Sequence, residues 1–233
     1  KTLHNFYLLP KNSVGEDYKS KINKIAFHLK KNKADFLFIT SSENNAWLLN
    51  IRGQDAEYAP IPYSHALVNK NKEVLLFCDL KKISHSLRRN LNRVKFINKE
   101  FLNDIISKIK LKKFILDKNT CSFFYENLIT QNNKILKSQD PIYFLKAIKN
   151  KTEIKNMIDT HILDGAALTK FIYWIKNTNR KKINEVQAQN KLEQFRKMNK
   201  NYLYPSFDTI AGSGKNGAIV HYRAKKRKCR IIN

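Results

Sequence analysis

The sequence predicts an α/β fold in which helices flank a mixed sheet. Short apolar runs and amphipathic segments alternate between residues 84 and 130, which is the pattern of helices packed on a sheet. Two apolar runs before them suit a hairpin, and helical periodicity dominates after residue 150. The length of 233 residues and the hydrophobic content of 42% suit one full domain and part of another.

The first half of the chain predicts the sheet and its covering helices. Apolar residues at helical spacing in residues 17–32 indicate an amphipathic helix, and the apolar run 34–39 is typical of a buried strand. The polar residues 41–45 are expected to turn the chain. The later segments are predicted as a hairpin of strands 64–68 and 74–77, helix 84–91, strand 94–97, helix 100–109, strand 114–116 and helix 122–130.

The last part of the chain predicts helices followed by a loop between strands. Pro141 opens a connecting helix over residues 142–148, which we interpret as the domain boundary. Asn150 suits the N-cap of a long helix that ends near residue 175, and a second cap at Asn184 starts another helix. Two strands, 206–210 and 218–221, are expected to flank a glycine-bearing loop.

The formal charge of +26 raises nucleic acid or an anionic membrane as possible partners. Lysine, however, is scattered through nearly every segment together with Asn and Ile, as a biased nucleotide composition in the gene would produce. Residues 223–230 form the one dense basic cluster. Three widely spaced cysteines suit a reducing cytosol, and no apolar stretch is long enough for a signal peptide or a membrane span, so we expect a soluble, cytoplasmic protein.

Three segments carry a family resemblance. Residues 206–222, Ser-Phe-Asp-Thr-Ile-Ala-Gly-Ser-Gly-Lys-Asn-Gly-Ala-Ile-Val-His-Tyr, resemble the strand, loop and strand of the creatinase/aminopeptidase P group of pita-bread metallopeptidases, and they end in the His-Tyr pair of that group. Residues 46–55 are similar to the middle-domain signature of the three-domain aminopeptidases P, and residues 146–154 resemble their first catalytic helix. The matches follow the order of the family over about residues 13–224.

The resemblance implies a creatinase-type middle domain over residues 13–140 and the first part of an α+β pita-bread domain over residues 141–233. In the family, two divalent cations such as manganese share a hydroxide that attacks the peptide bond before proline. Their ligands in relatives are two Asp, one His and two Glu, all placed after the His-Tyr pair, and residues 223–233 contain none of these types. We therefore expect an incomplete catalytic domain without metal ligands or a cofactor, whose residues 227–233 have the look of an out-of-frame tail.

The resemblance also assigns candidate site residues. By match, His221 is the histidine that faces the substrate, where it donates a hydrogen bond or helps to move a proton. Without the resemblance, a single histidine at a strand end is more often structural. Trp47 and Arg52 are candidates for the substrate cleft, although Trp47 suits the core equally well and Arg52 could pair with Asp55.

Two other groups of residues give only weak evidence for a binding site. Residues 212–215 suggest a phosphate loop, but Thr209 stands where a Walker A loop needs glycine, and Asn216 where it needs Ser or Thr. His161 and Asp164 lie on one helix face and could form half a metal site, yet no cluster supports them, and a local hydrogen bond or a solvated pair explains them better.

The sequence leaves two classes of function open. The first is a fragment of a metal-dependent aminopeptidase for peptides with proline in the second position, inactive alone unless a C-terminal polypeptide completes it. The second is a non-catalytic basic module that binds nucleic acid or an acidic protein. The aromatic clusters have spacings that suit helix burial, so any nucleic-acid binding is expected to be weak and non-specific.

Overall fold

The computed structural model describes residues 4–178 and 182–232. They form two compact units, Lys1–Glu153 and Ile154–Asn233. In the first unit the strands are β1 (Tyr7–Leu8), β2 (Phe36–Ile39), β3 (Ile51–Arg52), β4 (His65–Asn69), β5 (Val74–Cys78), β6 (Val94–Asn98), β7 (Lys113–Leu116) and β8 (Lys134–Lys137). The helices are α1 (Lys11–Val14), α2 (Tyr18–Lys31), α3 (Ser42–Leu48), α4 (His85–Asn90), α5 (Leu102–Lys108), α6 (Phe123–Thr130) and α7 (Pro141–Ala147), with α8 (Lys151–Asn177) continuing into the second unit.

Six strands form one mixed sheet in the order β6-β5-β4-β2-β7-β8. Strand β4 is antiparallel to β2 and β5, whereas the pairs β5 and β6, β2 and β7, and β7 and β8 are parallel. Strands β1 and β3 form a separate antiparallel pair. The predicted mixed sheet flanked by helices is therefore confirmed, and so is the hairpin of β4 and β5.

Side chains of successive strand residues enter two cores on opposite faces of the sheet, as the pleat requires. Leu37 and Ile39 belong to one core, and Phe38 between them belongs to the other. Helix α2 covers the first face with Ile22, Ile25 and Leu29, and helices α5 and α6 cover the second with Leu102, Ile106 and Ile129. Burial on both faces explains why the inner strands are apolar throughout.

Two local predictions in this unit were wrong or incomplete. Residues 41–45 were expected to turn, but they lie mostly in helix α3, where the buried amides of Asn44 and Asn45 donate to Asp140 Oδ2 (2.7 Å) and the Ser64 carbonyl (2.9 Å). These tertiary bonds outweigh the turn preference of asparagine. Strand β8 was not predicted, because its four residues, Lys-Ile-Leu-Lys, have too few apolar positions for a pattern.

Gly15 ends helix α1 in the left-handed region, at φ 70°. A Cβ atom there would clash with Asn150 Oδ1, which accepts hydrogen bonds from the backbone amides of Thr152 and Glu153 at the start of α8. We expect Gly15→Ala to lower the free energy of unfolding by about 2–4 kcal/mol, because it combines backbone strain with a clash. Chemical denaturation measures this. Gly165→Ala, in α8 with open space around it, is the control and should be neutral or stabilising by up to about 1 kcal/mol; equal effects would contradict the steric argument.

The second unit contains the rest of α8, helix α9 (Glu185–Lys197) and an irregular segment after it. Residues 206–210 and 218–221 were predicted as strands, which is wrong. They have no ladder partner among the described residues, and a 3-10 turn over Gly214–Ala218 lies between them. A strand needs a neighbour for its backbone hydrogen bonds, whatever its apolar content. Within the described part of the chain, no helix is long and apolar enough to cross a bilayer.

Candidate functional site

The side chain of Glu185 organises the end of the chain. Asn184 and Gln187 form a capping box that starts α9 and sets Glu185 in the first turn, with an exposure of 1%. The Glu185 carboxylate accepts hydrogen bonds from the Ser213 amide (2.6 Å), Asn216 Nδ2 (3.0 and 3.1 Å), the Tyr222 hydroxyl (2.7 Å) and the Arg230 amide (3.0 Å). One buried carboxylate thus ties together three parts of the segment that follows α9.

These hydrogen bonds shift the acidity of both partners. Burial by itself would raise the pKa of Glu185, but the hydrogen bonds from Arg230, Tyr222, Ser213 and Asn216 outweigh it and lower that pKa to about 2. The hydrogen bond to the carboxylate, with burial adding to it, raises the pKa of Tyr222 to about 12. Around neutral pH, Glu185 is therefore ionised and Tyr222 keeps its proton, which holds the bond between them.

His221 directly precedes the anchored tyrosine. It is exposed and adopts a φ of 54°, the left-handed region that is costly for a residue with a Cβ atom. The Tyr222 amide donates to the Ile219 carbonyl (3.2 Å) and closes the turn. The strained backbone is held because the next side chain is fixed, and the result is an imidazole offered to solvent.

The described residues do not fit a dimetal site. Across residues 4–178 and 182–232, no group of three or more His, Cys, Asp or Glu side chains could hold a metal ion. Near the His221 turn, Glu185 is saturated by its donors and Asp208 pairs with Arg223 (2.6 Å). Asp164, for which a local hydrogen bond or a solvated pair with His161 was preferred over half a metal site, accepts two hydrogen bonds from the Arg196 guanidinium (2.6 and 3.1 Å).

Trp47 and Arg52 lie in the first unit beside a buried lysine. The indole ring of Trp47 is half-buried and lies 3.9 Å from Lys21 Nζ, which donates to the Trp47 carbonyl (2.9 Å) and to Asn50 Oδ1 (2.7 Å).

Arg52 donates to the carbonyls of Ala46 (3.2 Å) and Ile51 (2.9 Å). Asp55, the suggested partner of Arg52, forms an ion pair with Lys82.

Burial lowers the pKa of Lys21 to about 8. The pKa of lysine in an unfolded chain is near 10.4. Between pH 8 and pH 10.4 the unfolded state therefore binds the proton more tightly than the folded state does, and the free energy of unfolding rises with pH. We expect the free energy of unfolding of the wild type, relative to Lys21→Met, to increase by up to about 3 kcal/mol between pH 7 and pH 10.5. Denaturation at several pH values measures it. The control variant is Lys30→Met, at an exposed position of the same helix. A difference between the wild type and Lys21→Met that does not change with pH would refute the buried charge.

The sequence did not single out Glu185. The capping pattern marks the start of α9, but the partners of the carboxylate lie 28 to 45 residues further along the chain. No local periodicity links such positions. The signal available in the sequence was a single glutamate in the first turn of a helix, a place where acidic residues are common for dipole reasons alone.

The mixed sheet and its covering helices define a creatinase-type α/β protein, and a second compact unit contains most of α8 and the glycine loop that leads to the His221 turn. Comparisons agree with this class: residues 1–153 match the creatinase/prolidase N-terminal domain, and residues 155–232 match metallopeptidase family M24. The chain belongs to the creatinase/prolidase family.

Individual relatives support this placement. The probable Xaa-Pro aminopeptidase P of Laccaria bicolor is 36% identical over 239 residues, which is 96% of this chain and 37% of that protein. The Paracoccidioides brasiliensis relative is 34% identical over 243 residues, 96% of this chain and 39% of its own. The X-prolyl aminopeptidase of Caenorhabditis elegans, described as a cytosolic enzyme with a di-nuclear active site, has a TM-score of 0.88 and 25% identity, covering 98% of this chain and 39% of that one.

The chain therefore spans less than two fifths of the length of these relatives. The Xaa-Pro dipeptidase of Bacillus anthracis, with a TM-score of 0.64 and 17% identity, shares the fold.

Proposed function

We propose that this chain supplies the substrate-facing histidine of an Xaa-Pro aminopeptidase site and does not hydrolyse peptides by itself. The observation that carries the proposal is the bond between Glu185 and Tyr222 (2.7 Å), which fixes the turn and leaves His221 exposed. An imidazole in that place can donate a hydrogen bond to the substrate carbonyl or carry a proton, because each of its two ring nitrogens can donate or accept a hydrogen bond.

The metal chemistry of the proposed site must come from other residues. In the family's reaction, two divalent ions such as manganese would polarise the carbonyl and activate the attacking water. The described residues offer no cluster that could hold them. We propose that a C-terminal polypeptide completes the site, that the substrate is a peptide with proline in second position, and that Trp47 and Arg52 line the cleft. The cytosolic description of the nematode enzyme supports a cytoplasmic location.

A hybrid enzyme tests the role of His221. Residues 1–222 joined to the C-terminal remainder of the Laccaria relative should release the N-terminal residue of an Xaa-Pro peptide when manganese is added. His221→Ala in the hybrid should reduce kcat by roughly 100-fold or more, as loss of a proton-transfer group does. The control is His161→Ala, an exposed histidine whose Nδ1 lies 2.8 Å from the Met157 carbonyl.

Two outcomes would contradict the assignment. A folded, metal-loaded hybrid without activity would contradict the proposed family activity of this chain. An active hybrid that tolerates His221→Ala as well as His161→Ala would leave the activity intact and remove His221 from it.

A further inference from the structure

A groove of about 780 Å³ lies between helices α2 and α7 of the first unit. One wall is formed by Lys24, Phe27, His28 and Lys31 of α2, and the other by residues 138–145, including Phe144. Its size falls within the range of known ligand and peptide sites. We refer to it as the α2–α7 groove.

Two phenylalanines make this groove unusual. Phe27 and Phe144 stand on opposite walls, and each is 69% exposed. Burial of a phenylalanine side chain is favourable, so two facing exposed rings at one groove would contribute strongly to the binding of an apolar partner. The opposite side of α2 faces the hydrophobic core, where Ile22, Ile25 and Leu29 are packed. The rings thus contribute little to the stability of the unit.

The charge of the groove is positive. Lys24 and Lys31 lie two turns apart on α2, with His28 between them. Lys24 also pairs with Glu16 (2.7 Å), and burial lowers the pKa of His28, so Lys31 supplies most of the unbalanced charge. Among the lining residues the one carboxylate, Asp140, is 3% exposed and accepts the amides of Asn44 (2.7 Å) and Ile142 (2.9 Å).

We propose that the α2–α7 groove binds an acidic amphipathic helix of a partner protein. Two helical walls with an aromatic side chain on each accept the apolar face of a third helix, as in other helix-in-groove interactions. Glutamates and aspartates flanking that face would meet Lys31. A second copy of this chain fits poorly, because each copy carries a net charge of +26 and presents the same basic wall. This binding is independent of the peptidase proposal.

A display library of helical peptides tests the proposal. The library keeps a helical frame and randomises the apolar face and its flanking positions among acidic, basic and neutral residues. Selection against the whole chain should enrich acidic amphipathic sequences. The best peptide, titrated by fluorescence anisotropy, should bind Phe27→Ser and Phe144→Ser at least about tenfold more weakly, as loss of an anchor does. Lys31→Glu should weaken binding more at low salt than at high salt.

The control variant is Phe123→Ser, which removes a side chain that is 76% exposed on α6, away from the groove. All substituted phenylalanines are largely exposed, so the variants should keep the unfolding midpoint of the wild type. Enrichment of basic or neutral peptides, binding that survives both groove variants, or no enrichment would each overturn the proposal. Oligouridine could also displace the labelled peptide from the groove. If it binds more tightly than the selected peptide, and if Phe27→Ser abolishes that binding, the groove is assigned to single-stranded nucleic acid instead.

Discussion

Replacing Glu185 with alanine is expected to release the segment of residues 213–230 from helix α9. The carboxylate accepts hydrogen bonds from the backbone amides of Ser213 and Arg230 and from the side chains of Asn216 and Tyr222. It is almost fully buried. Its removal leaves these donors without their acceptor, which costs about 3 kcal/mol or more locally. That loss exceeds what an exposed ion pair could contribute.

Amide hydrogen exchange measures this release. The amides of Ser213 and Arg230 should exchange roughly 100-fold faster in Glu185→Ala, and trypsin should cut sooner after Lys215. Glu185→Gln should accelerate exchange almost as much, because the glutamine amide replaces one acceptor oxygen with an NH2 donor that faces other donors. Glu193→Ala is the control, since this residue of the same helix pairs with Lys197 near the surface. Unchanged exchange in Glu185→Ala would show that the segment is held by other contacts.

Acid should weaken the same attachment. The pKa of Glu185 is lowered from 4.5 to about 2, so the stabilisation is complete above pH 4.5 and is lost as the pH falls towards 2. Exchange at Ser213 should therefore accelerate over that window in the wild type, beyond the intrinsic effect of pH. Glu185→Ala should lack this additional dependence.

The sheet and most of its helices could be predicted from the sequence because their signals are local. Strand β2 is an apolar run, and α2 repeats apolar residues every three or four positions up to its last turn. The hairpin of β4 and β5 follows from two apolar runs joined by a short polar link. In each case a burial pattern within a few residues determines the element.

The errors arise where distant contacts determine the structure. Helix α3 forms in a polar stretch because Asn44 and Asn45 find partners at Asp140 and Ser64. Residues 218–221 have the composition of a strand, but no described segment pairs with them, and the chain turns at His221 instead. The family resemblance made His221 a candidate, whereas Glu185, which holds the neighbouring Tyr222, acts across 37 residues and had no local signature.

The second large effect concerns the reaction itself. The proposed function places the metal ligands on other residues, and the described part of this chain has no cluster that could hold two metal ions. On that proposal the purified chain should be inactive. Enzymes of this kind accelerate hydrolysis by at least about a million-fold, and a chain without its metal site should lose essentially all of that acceleration. Added metal should not restore it, because we propose that the ligands come from a second polypeptide and the described residues offer no cluster for the ions.

An activity assay of the chain alone tests this most directly. An Xaa-Pro peptide is incubated with the purified protein and manganese, cobalt or zinc, and the released N-terminal residue is quantified. The hybrid enzyme serves as the positive control, and the His221→Ala chain, purified in parallel, reports contaminating peptidase. The release rate should equal that of buffer with every metal. Metal-dependent release that a chelator abolishes and that the His221→Ala chain lacks would contradict it.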